Sequence, residues 1–141
     1  MTYLLDTNVI SALRRREKLE LRVAAWFSEV RAAELSISIV TLLEIEIGVL
    51  RMERKDPEQG AMLRRWKNEW VVPAFAGRVW PVDAAVSDVC SRLHVPDPRP
   101  VLDSLIAATA IAHGKTLVTR NVADFRSLPV AVVNPWSAPV E

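Results

Sequence analysis

The fold of this chain is decided by residues 3–11, which read YLLDTNVIS. Residues 3–5 predict a short strand that ends at Asp6, and Val9, Ile10 and Leu13 then recur at helical spacing. A strand that ends in an acid and continues as a helix builds a site in an α/β fold, because ligands there bind beyond the carboxyl ends of the strands. The other acids that follow strands therefore decide whether this edge carries chemistry.

The composition predicts one soluble, cytoplasmic domain over residues 1–141. The hydrophobic fraction of 50% and the charged fraction of 25% are ordinary for a globular protein. A net charge of +1 excludes a polyanion and a basic nucleic-acid coat, so any nucleic-acid contact must come from local clusters. The single Cys90 allows no intrachain disulfide, and the start of the chain lacks the regions of a signal peptide. No apolar stretch reaches the roughly 18 residues of a membrane span.

Hydrophobic periodicity predicts an alternation of strands and helices along the whole chain. Strands are predicted at 3–5, 35–39, 78–82, 116–119 and 130–133, and helices at 9–14, 19–30, 40–54, 57–70, 84–93 and 101–113. Residues 94–100 hold three prolines and predict a loop, and residues 120–125 a turn or short helix. Strands separated by helices indicate a central parallel sheet in a three-layer α/β/α fold.

Asp6 and Glu44 are the first two candidate site residues. Asp6 serves either as a cation ligand or as the N-cap of the helix that follows it. Glu44 is one helical turn from Val40 and from Ile47, so its carboxylate shares a side with core-directed residues, whereas Glu46 points elsewhere. A charge on that side is costly unless it is paired or metal-bound, although an acid near a helix N-terminus also suits the helix dipole.

Asp103 and Asp124 are two further candidates. Asp103 stands at the head of an apolar stripe that includes Ile106 and Ala107, in a helix that should begin near the same sheet edge. Asp124 follows the fourth strand by a few residues, and Thr119 at the end of that strand places a hydroxyl nearby. The alternative roles are a first-turn acid that suits the helix dipole for Asp103, and an ordinary turn acid for Asp124.

Together Asp6, Glu44, Asp103 and Asp124 put up to four carboxylates at one edge of one sheet. Two unit charges about 4 Å apart interact by about 4 kcal/mol at an effective dielectric of about 20, so such acids need a cation or raised pKa values. Oxygen ligands without His or Cys select hard cations, Mg²⁺ or Mn²⁺. A carboxylate-held Mg²⁺ most often acts on phosphate oxygens, so the pattern predicts phosphate chemistry.

Three other interpretations of the acids remain open. A haloacid-dehalogenase-like phosphatase also begins with a strand and an acid, but it requires a second Asp at the position of Asn8. A receiver domain requires an acidic pair on the first strand and a late Lys near the site, whereas Lys115 is at the wrong end of its strand. A non-catalytic binding module would use the acids only to cap helices.

Several blocks of the sequence resemble PIN-domain ribonucleases, in particular the VapC-like toxins of bacterial toxin–antitoxin pairs. They are LLDTNVIS at 4–11, TLLEIEIG at 41–48, LDSLIAATA at 102–110, TLVTRN at 116–121, DF at 124–125 and NPW at 134–136. Each block alone is weak, but they cover essentially the whole chain in the expected order. One departure is the segment from Leu93 to Asp103, which is shorter and richer in proline than is usual in the family and bears on RNA preference.

The resemblance implies a PIN-like fold and Mg²⁺- or Mn²⁺-dependent endoribonuclease activity, with RNA as the substrate. It also implies a homodimer and a cognate VapB-like antitoxin, which would form a higher-order assembly with the toxin and mediate any contact with DNA. Carried over by position, Asp6, Glu44, Asp103 and Asp124 are the catalytic acids. Asp6, Asp103 and Asp124 are the metal ligands among them, and Asn8 and Thr119 are supporting polar groups.

Basic and apolar residues supply two weaker predictions. Candidates for RNA phosphate contacts are Arg14, Arg15, Arg16, Lys18 and Arg120, although such a run is more often a solvated surface. The helices between residues 9 and 54 carry more Leu, Ile and Val than one buried face requires, and the chain has five Trp. Either a partner helix or second subunit covers this surplus, or the core absorbs it.

Overall fold

The computed structural model describes residues 1–137, and its centre is a five-stranded parallel sheet. The strands are β1 (Tyr3–Leu5), β2 (Leu35–Ser38), β3 (Val79–Trp80), β4 (Thr116–Val118) and β5 (Val132–Val133). Their order is β3-β2-β1-β4-β5, so the chain winds outward from β1 in both directions. The crevice beyond the carboxyl ends of β1 and β4 is the place where such a sheet binds ligands.

Eight helices surround the sheet in the described part of the chain. They are α1 (Thr7–Leu13), α2 (Leu21–Ser28), α3 (Ile39–Lys55), α4 (Pro57–Trp66), α5 (Val72–Ala74), α6 (Ala84–Leu93), α7 (Val101–Ala112) and α8 (Val122–Phe125). Short 3₁₀ turns lie at Arg16–Lys18 and Ala32–Glu34, and a π-helical stretch, Lys67–Val71, joins α4 to α5. Among residues 1–137 we find no helix with the length and apolarity that crossing a membrane requires.

The predicted elements are present, and their boundaries differ for local reasons. Helix α1 begins two residues earlier than the periodicity predicted, because the Asp6 carboxylate accepts the Thr7 N–H and caps it. The predicted strand at 78–82 is shortened to two residues, because Pro81 has no N–H to donate to a ladder. The predicted helix 57–70 ends as α-helix at Trp66 and continues in the wider π form.

Two apolar cores lie on opposite faces of the sheet. Successive residues of β1 point to opposite faces, so Leu4 packs with α6 and α7 while Leu5 packs with α1 and α3. Leu117 and Val118 of β4 divide in the same way. All four side chains are fully buried. The three-layer α/β/α architecture is therefore confirmed, and the rigid central strands place their carboxyl ends at one edge.

The apolar residues that recur at helical spacing along α3 are Val40, Leu43, Ile47 and Leu50, and they do not all face the core. Leu43 is 48% exposed and Leu50 is 53% exposed, whereas the buried face of the helix is formed by Val40, Thr41, Ile45 and Val49. The periodicity located the helix correctly but did not identify its buried side. The surplus of apolar residues is therefore only partly absorbed by the core of this chain.

Candidate active site

Asp6 lies at the junction of β1, β4 and α1. Its N–H donates to the Val118 carbonyl at 2.9 Å, which continues the β1–β4 ladder by one residue and buries the side chain to 5% exposure. Oδ1 accepts the Thr7 N–H at 2.8 Å, and Oδ2 accepts the Thr119 hydroxyl at 2.8 Å. Asp6 thus caps α1 and also presents a buried carboxylate at the sheet edge, so its two predicted roles are compatible.

The environment of Asp6 disfavours its charge. Burial is the main cause that raises the pKa of Asp6, and the nearby Asp103 and Glu44 charges raise it further. The hydrogen bonds from Thr119 and from the Thr7 N–H act in the opposite direction, but the net pKa shift is upward. A cation placed beside Asp6 would offset both the cost of burying its charge and the repulsion from the neighbouring acids.

Glu44 reaches this site through Thr7. The Thr7 hydroxyl donates to Glu44 Oε1 at 2.6 Å and lies 3.1 Å from the Thr41 hydroxyl, so it joins α1 to α3. Glu46, two residues further on, instead pairs with Arg64 and Lys67, and these hydrogen bonds lower the pKa of Glu46 to about 2. Glu44 therefore points towards the site and Glu46 towards Arg64 and Lys67, as the helical spacing indicated.

Asp103 and Asp124 face each other across a small cavity beside the sheet edge. Helix α7 has Pro100 as its N-cap, which places Asp103 in the first turn and half-buried. Burial raises the pKa of Asp103, and the charge of Asp124, which is exposed on α8, raises it further. Both acids line the same cavity of about 150 Å³.

The predicted supporting groups, Asn8 and Thr119, both contact Asp6. Asn8 Nδ2 lies 3.4 Å from Asp6 Oδ2 and 3.3 Å from Thr119 Oγ1, and Asn8 Oδ1 accepts the Arg120 N–H at 3.3 Å. Thr119 Oγ1 also accepts the Asn121 N–H at 3.0 Å, which fixes the direction of its hydroxyl. These bonds orient the Asp6 carboxylate and its surroundings.

The four site acids lack the basic side-chain partners that other acids of the chain have. Among the side chains that the structure describes, which leave out Arg16, no Lys or Arg nitrogen lies within 4.0 Å of the carboxylates of Asp6, Glu44, Asp103 and Asp124. Glu34 and Asp88, which lie outside the site, do have such partners. The site acids thus lie close together without a described basic partner, and Asp6 among them is buried.

The donor set fits a hard cation bound with few protein ligands. Asp6 interacts electrostatically with Asp103 and Glu44, and Asp103 with Asp124. In the described part of the chain, however, no three His, Cys, Asp or Glu side chains form a cluster able to enclose an ion. Mg²⁺ typically takes one or two carboxylates and fills its other positions with water and substrate phosphate oxygens, which suits this spacing.

The predicted basic residues divide into two places. Arg120 follows Thr119 directly, and its guanidinium lies 5.0 Å from the centre of the Trp136 ring. Arg14, Arg15 and Lys18 follow the far end of α1, about 10 Å along the helix from Asp6. The side chain of Arg16 lies outside the described part of the structure.

Two residues at the site were not predicted as site residues from the sequence. The hydroxyl of Thr41 meets Thr7 across 34 residues of chain, and the half-buried Arg99 lines the cavity with Asp103 and Asp124. Thr41 begins a block that carries the family resemblance, which is a usable signal. Arg99 lies in the proline-rich segment where the sequence departs from the family.

Comparison with known proteins places this geometry in a family. The PIN domain model matches residues 3–130. Toxin FitB of Neisseria gonorrhoeae is 33% identical over 138 residues, covering 94% of this chain and 97% of FitB. VapC ribonuclease Y4jK of Sinorhizobium fredii is 34% identical over 137 residues, covering 94% of this chain and 96% of that protein. The crystal structure of FitAcB from Neisseria gonorrhoeae superposes with a TM-score of 0.87 at 31% identity, over 97% of this chain and 100% of that one. With a family model that matches most of the chain and nearly full-length relatives above 30% identity, this chain belongs to the PIN domain family, in its VapC-like branch.

Proposed function

We propose that this protein is a metal-dependent endoribonuclease that acts as the toxin of a toxin–antitoxin pair. The observation that carries the proposal is the state of Asp6, a buried carboxylate next to Asp103 and Glu44 with no Lys or Arg partner among the described side chains. The relatives named VapC ribonucleases support RNA as the substrate. RNA cleavage by the family depends on a metal ion, and the all-oxygen donor set favours Mg²⁺ or Mn²⁺ at this site.

Each acid has a distinct part in the proposed mechanism. Asp6 and Asp103 would hold the ion directly and Asp124 would complete the site directly or through water, while Thr119 and Asn8 orient the Asp6 carboxylate. Glu44 uses Oε1 to accept the Thr7 hydroxyl, which leaves Oε2 to bind water or the ion. When bound, the metal supplies Lewis-acid polarisation of the phosphate and acidifies water. Attack by water, with no part for the RNA 2′-hydroxyl, would leave 5′-phosphate and 3′-hydroxyl ends.

The partners follow from the branch of the family. The solved relatives include FitAB bound to a DNA fragment, so we assign this chain a VapB-like antitoxin that would also mediate any contact with DNA. A groove of about 590 Å³ is lined by Leu19 and Phe27 on one side and by Trp70 on the other, and suits an apolar segment of such a partner. The exposed Leu43 and Leu50 on α3 suit a homodimer contact. A cytoplasmic location fits an enzyme whose substrate is cellular RNA.

The alternative interpretations account for less of the site. A binding module whose acids only cap helices explains Asp6, but Glu44 lies inside α3 and Asp103 inside α7, whose N-cap is Pro100. A haloacid-dehalogenase-like phosphatase would need a second acid at position 8, and this chain has Asn8 there. The amide of Asn8 contacts Asp6 and accepts the Arg120 N–H.

The test is cleavage of a total RNA pool by the purified protein, with sequencing of the new ends. We expect cleavage with Mg²⁺ or Mn²⁺, none with excess chelator, and recovery when Mn²⁺ is restored, because the acids need the ion to act on phosphate. The products should carry 5′-phosphates. Cleavage that persists in chelator, or products that end in 2′,3′-cyclic phosphate, would contradict the proposed chemistry.

A further inference from the structure

The cavity beside Asp103 adjoins the acidic site and shares two of its four acids. It has a volume of about 150 Å³, and Asp103 and Asp124 line it while Asp6 and Glu44 do not. A substrate strand whose scissile phosphate reaches the acids would therefore place a neighbouring nucleotide here.

Arg99 also lines this cavity and is held in position there by two hydrogen bonds. Its Nε donates to the Leu93 carbonyl at 3.1 Å, and one terminal nitrogen donates to the Ser127 hydroxyl at 2.9 Å. These bonds fasten the proline-rich segment between α6 and α7 on one side and the turn after α8 on the other. The guanidinium has five N–H donors in a rigid fork, so hydrogen-bonding capacity remains for a ligand.

The charge of Arg99 is not used to neutralise the acids around it. It shares the cavity with Asp103 and Asp124, yet it forms no ion pair within 4.0 Å with either of them among residues 1–137. Its partners in that part of the chain are a neutral carbonyl and a neutral hydroxyl. The cavity therefore keeps a fixed and uncompensated cation beside a site for phosphate chemistry.

Apart from Ser104, the other residues that line the cavity are apolar. Pro100 and Leu128 contribute to the lining, and the buried ring of Phe125 lies beneath it. A cavity that combines an apolar wall with one fixed cation matches the chemistry of a nucleotide, whose ribose and base are less polar than its phosphate.

We infer that Arg99 binds the backbone phosphate next to the scissile one, with the ribose or base of that nucleotide against Pro100 and Leu128. This inference rests on the proposed ribonuclease function and adds a substrate-binding residue to it. Arg99 lies in the segment that departs from the family pattern, so its contact would contribute to the RNA preference of this particular chain.

The experiment compares wild type with Arg99→Gln, Arg99→Lys and a control, Arg126→Gln. Arg126 is an exposed arginine at the end of α8 that does not line the cavity. Cleavage with Mn²⁺ gives kcat and KM for a labelled RNA. Fluorescence anisotropy in chelator gives Kd over a range of NaCl concentrations, and thermal melting reports the fold.

We expect Arg99→Gln to raise KM and Kd by about tenfold with kcat unchanged, because a charge-assisted hydrogen bond is lost. The slope of log Kd against log salt should become shallower by about 0.7, the value for one phosphate contact on a single strand. Arg99→Lys should keep the wild-type slope because it keeps the charge. If Arg99→Gln does not fold, Arg99→Met, which keeps the apolar stem without the charge, should show the same loss of slope. Arg126→Gln should match wild type.

Three results would overturn the inference. One is an unchanged Kd and salt slope in Arg99→Gln, and another is an equal effect of Arg126→Gln. The third is a lower melting temperature and kcat in both Arg99 variants while Arg99→Gln keeps the wild-type salt slope, which would make Arg99 an anchor of the loop and nothing more. Failure of the wild type to cleave RNA would instead overturn the proposed function, and the anisotropy data would still decide the role of Arg99.

Discussion

Asp6→Asn should lower kcat/KM for RNA cleavage by more than about a hundredfold, the upper end of the loss seen when a residue behind a metal ligand is removed. The substitution removes the negative charge that would hold the ion but preserves the shape of the side chain. The Asn oxygen can still accept the Thr7 N–H, and its amide can donate to the Thr119 hydroxyl. We therefore expect a folded protein that has lost its activity.

The same variant should be more stable than wild type at neutral pH when no metal is present. The pKa of Asp6 is raised in the folded state, chiefly by burial, so the folded protein binds this proton more tightly than the unfolded chain does. That contribution to stability is fully present below the ordinary aspartate pKa of about 3.9 and is lost as the pH rises through the raised pKa. Asn carries no charge at any pH, so the melting temperature of Asp6→Asn should exceed that of wild type above this window.

Asp83→Asn is the matched control for Asp6→Asn. Asp83 also caps a helix, accepting the Val86 N–H at 3.0 Å, but it lies outside the site at the start of α6. We expect it to retain wild-type cleavage. The account of Asp6 would be wrong if Asp6→Asn cleaved RNA as wild type does, or if its activity disappeared only because the protein unfolded.

Asp103→Asn should lower kcat/KM for RNA cleavage by a factor similar to that of Asp6→Asn. Asp103 is the acid that interacts with both Asp6 and Asp124, so its substitution would remove a proposed ligand that lies between the other two. Asp124→Asn should cost less, because Asp124 is exposed and water can replace its oxygen. The measurement is kcat/KM at saturating Mn²⁺ for both variants.

Asp97→Asn provides the comparison for Asp103→Asn. Asp97 is exposed in the segment between α6 and α7 and lies outside the cavity. It should leave kcat/KM unchanged. If Asp103→Asn behaved like Asp97→Asn, Asp103 would not be a ligand, and its position at the head of the apolar stripe of α7 would need another explanation.

The sequence predicted most of the fold because its signals are local. Asp56 followed by Pro57 begins α4, and Asp83 begins α6, because an acid cap and a proline act on the backbone within a few residues. Asp6 at the end of β1 was identified for the same reason. The parallel direction of the strands followed from the alternation of strands and helices.

Features that depend on distant residues could not be predicted in this way. The spacing of apolar residues along α3 shows that a helix forms, but the side that the sheet covers is decided by packing, and Leu43 and Leu50 lie on the other side. The contact between Thr7 and Glu44 spans 37 residues of chain. Arg99 became a candidate only when the fold brought its segment against Asp124.

The central claim is that Asp6 and Asp103 belong to one cation site that forms only in the folded protein. The most direct test is the melting temperature of wild type and of Asp103→Asn across a titration of Mn²⁺. A ligand that binds only the folded state stabilises it by RT ln(1 + [L]/Kd), about 2.7 kcal/mol at a concentration of about 100 times Kd. The account predicts a saturable rise in the melting temperature of wild type and none in Asp103→Asn. An unchanged wild type, or an equal rise in both proteins, would contradict it.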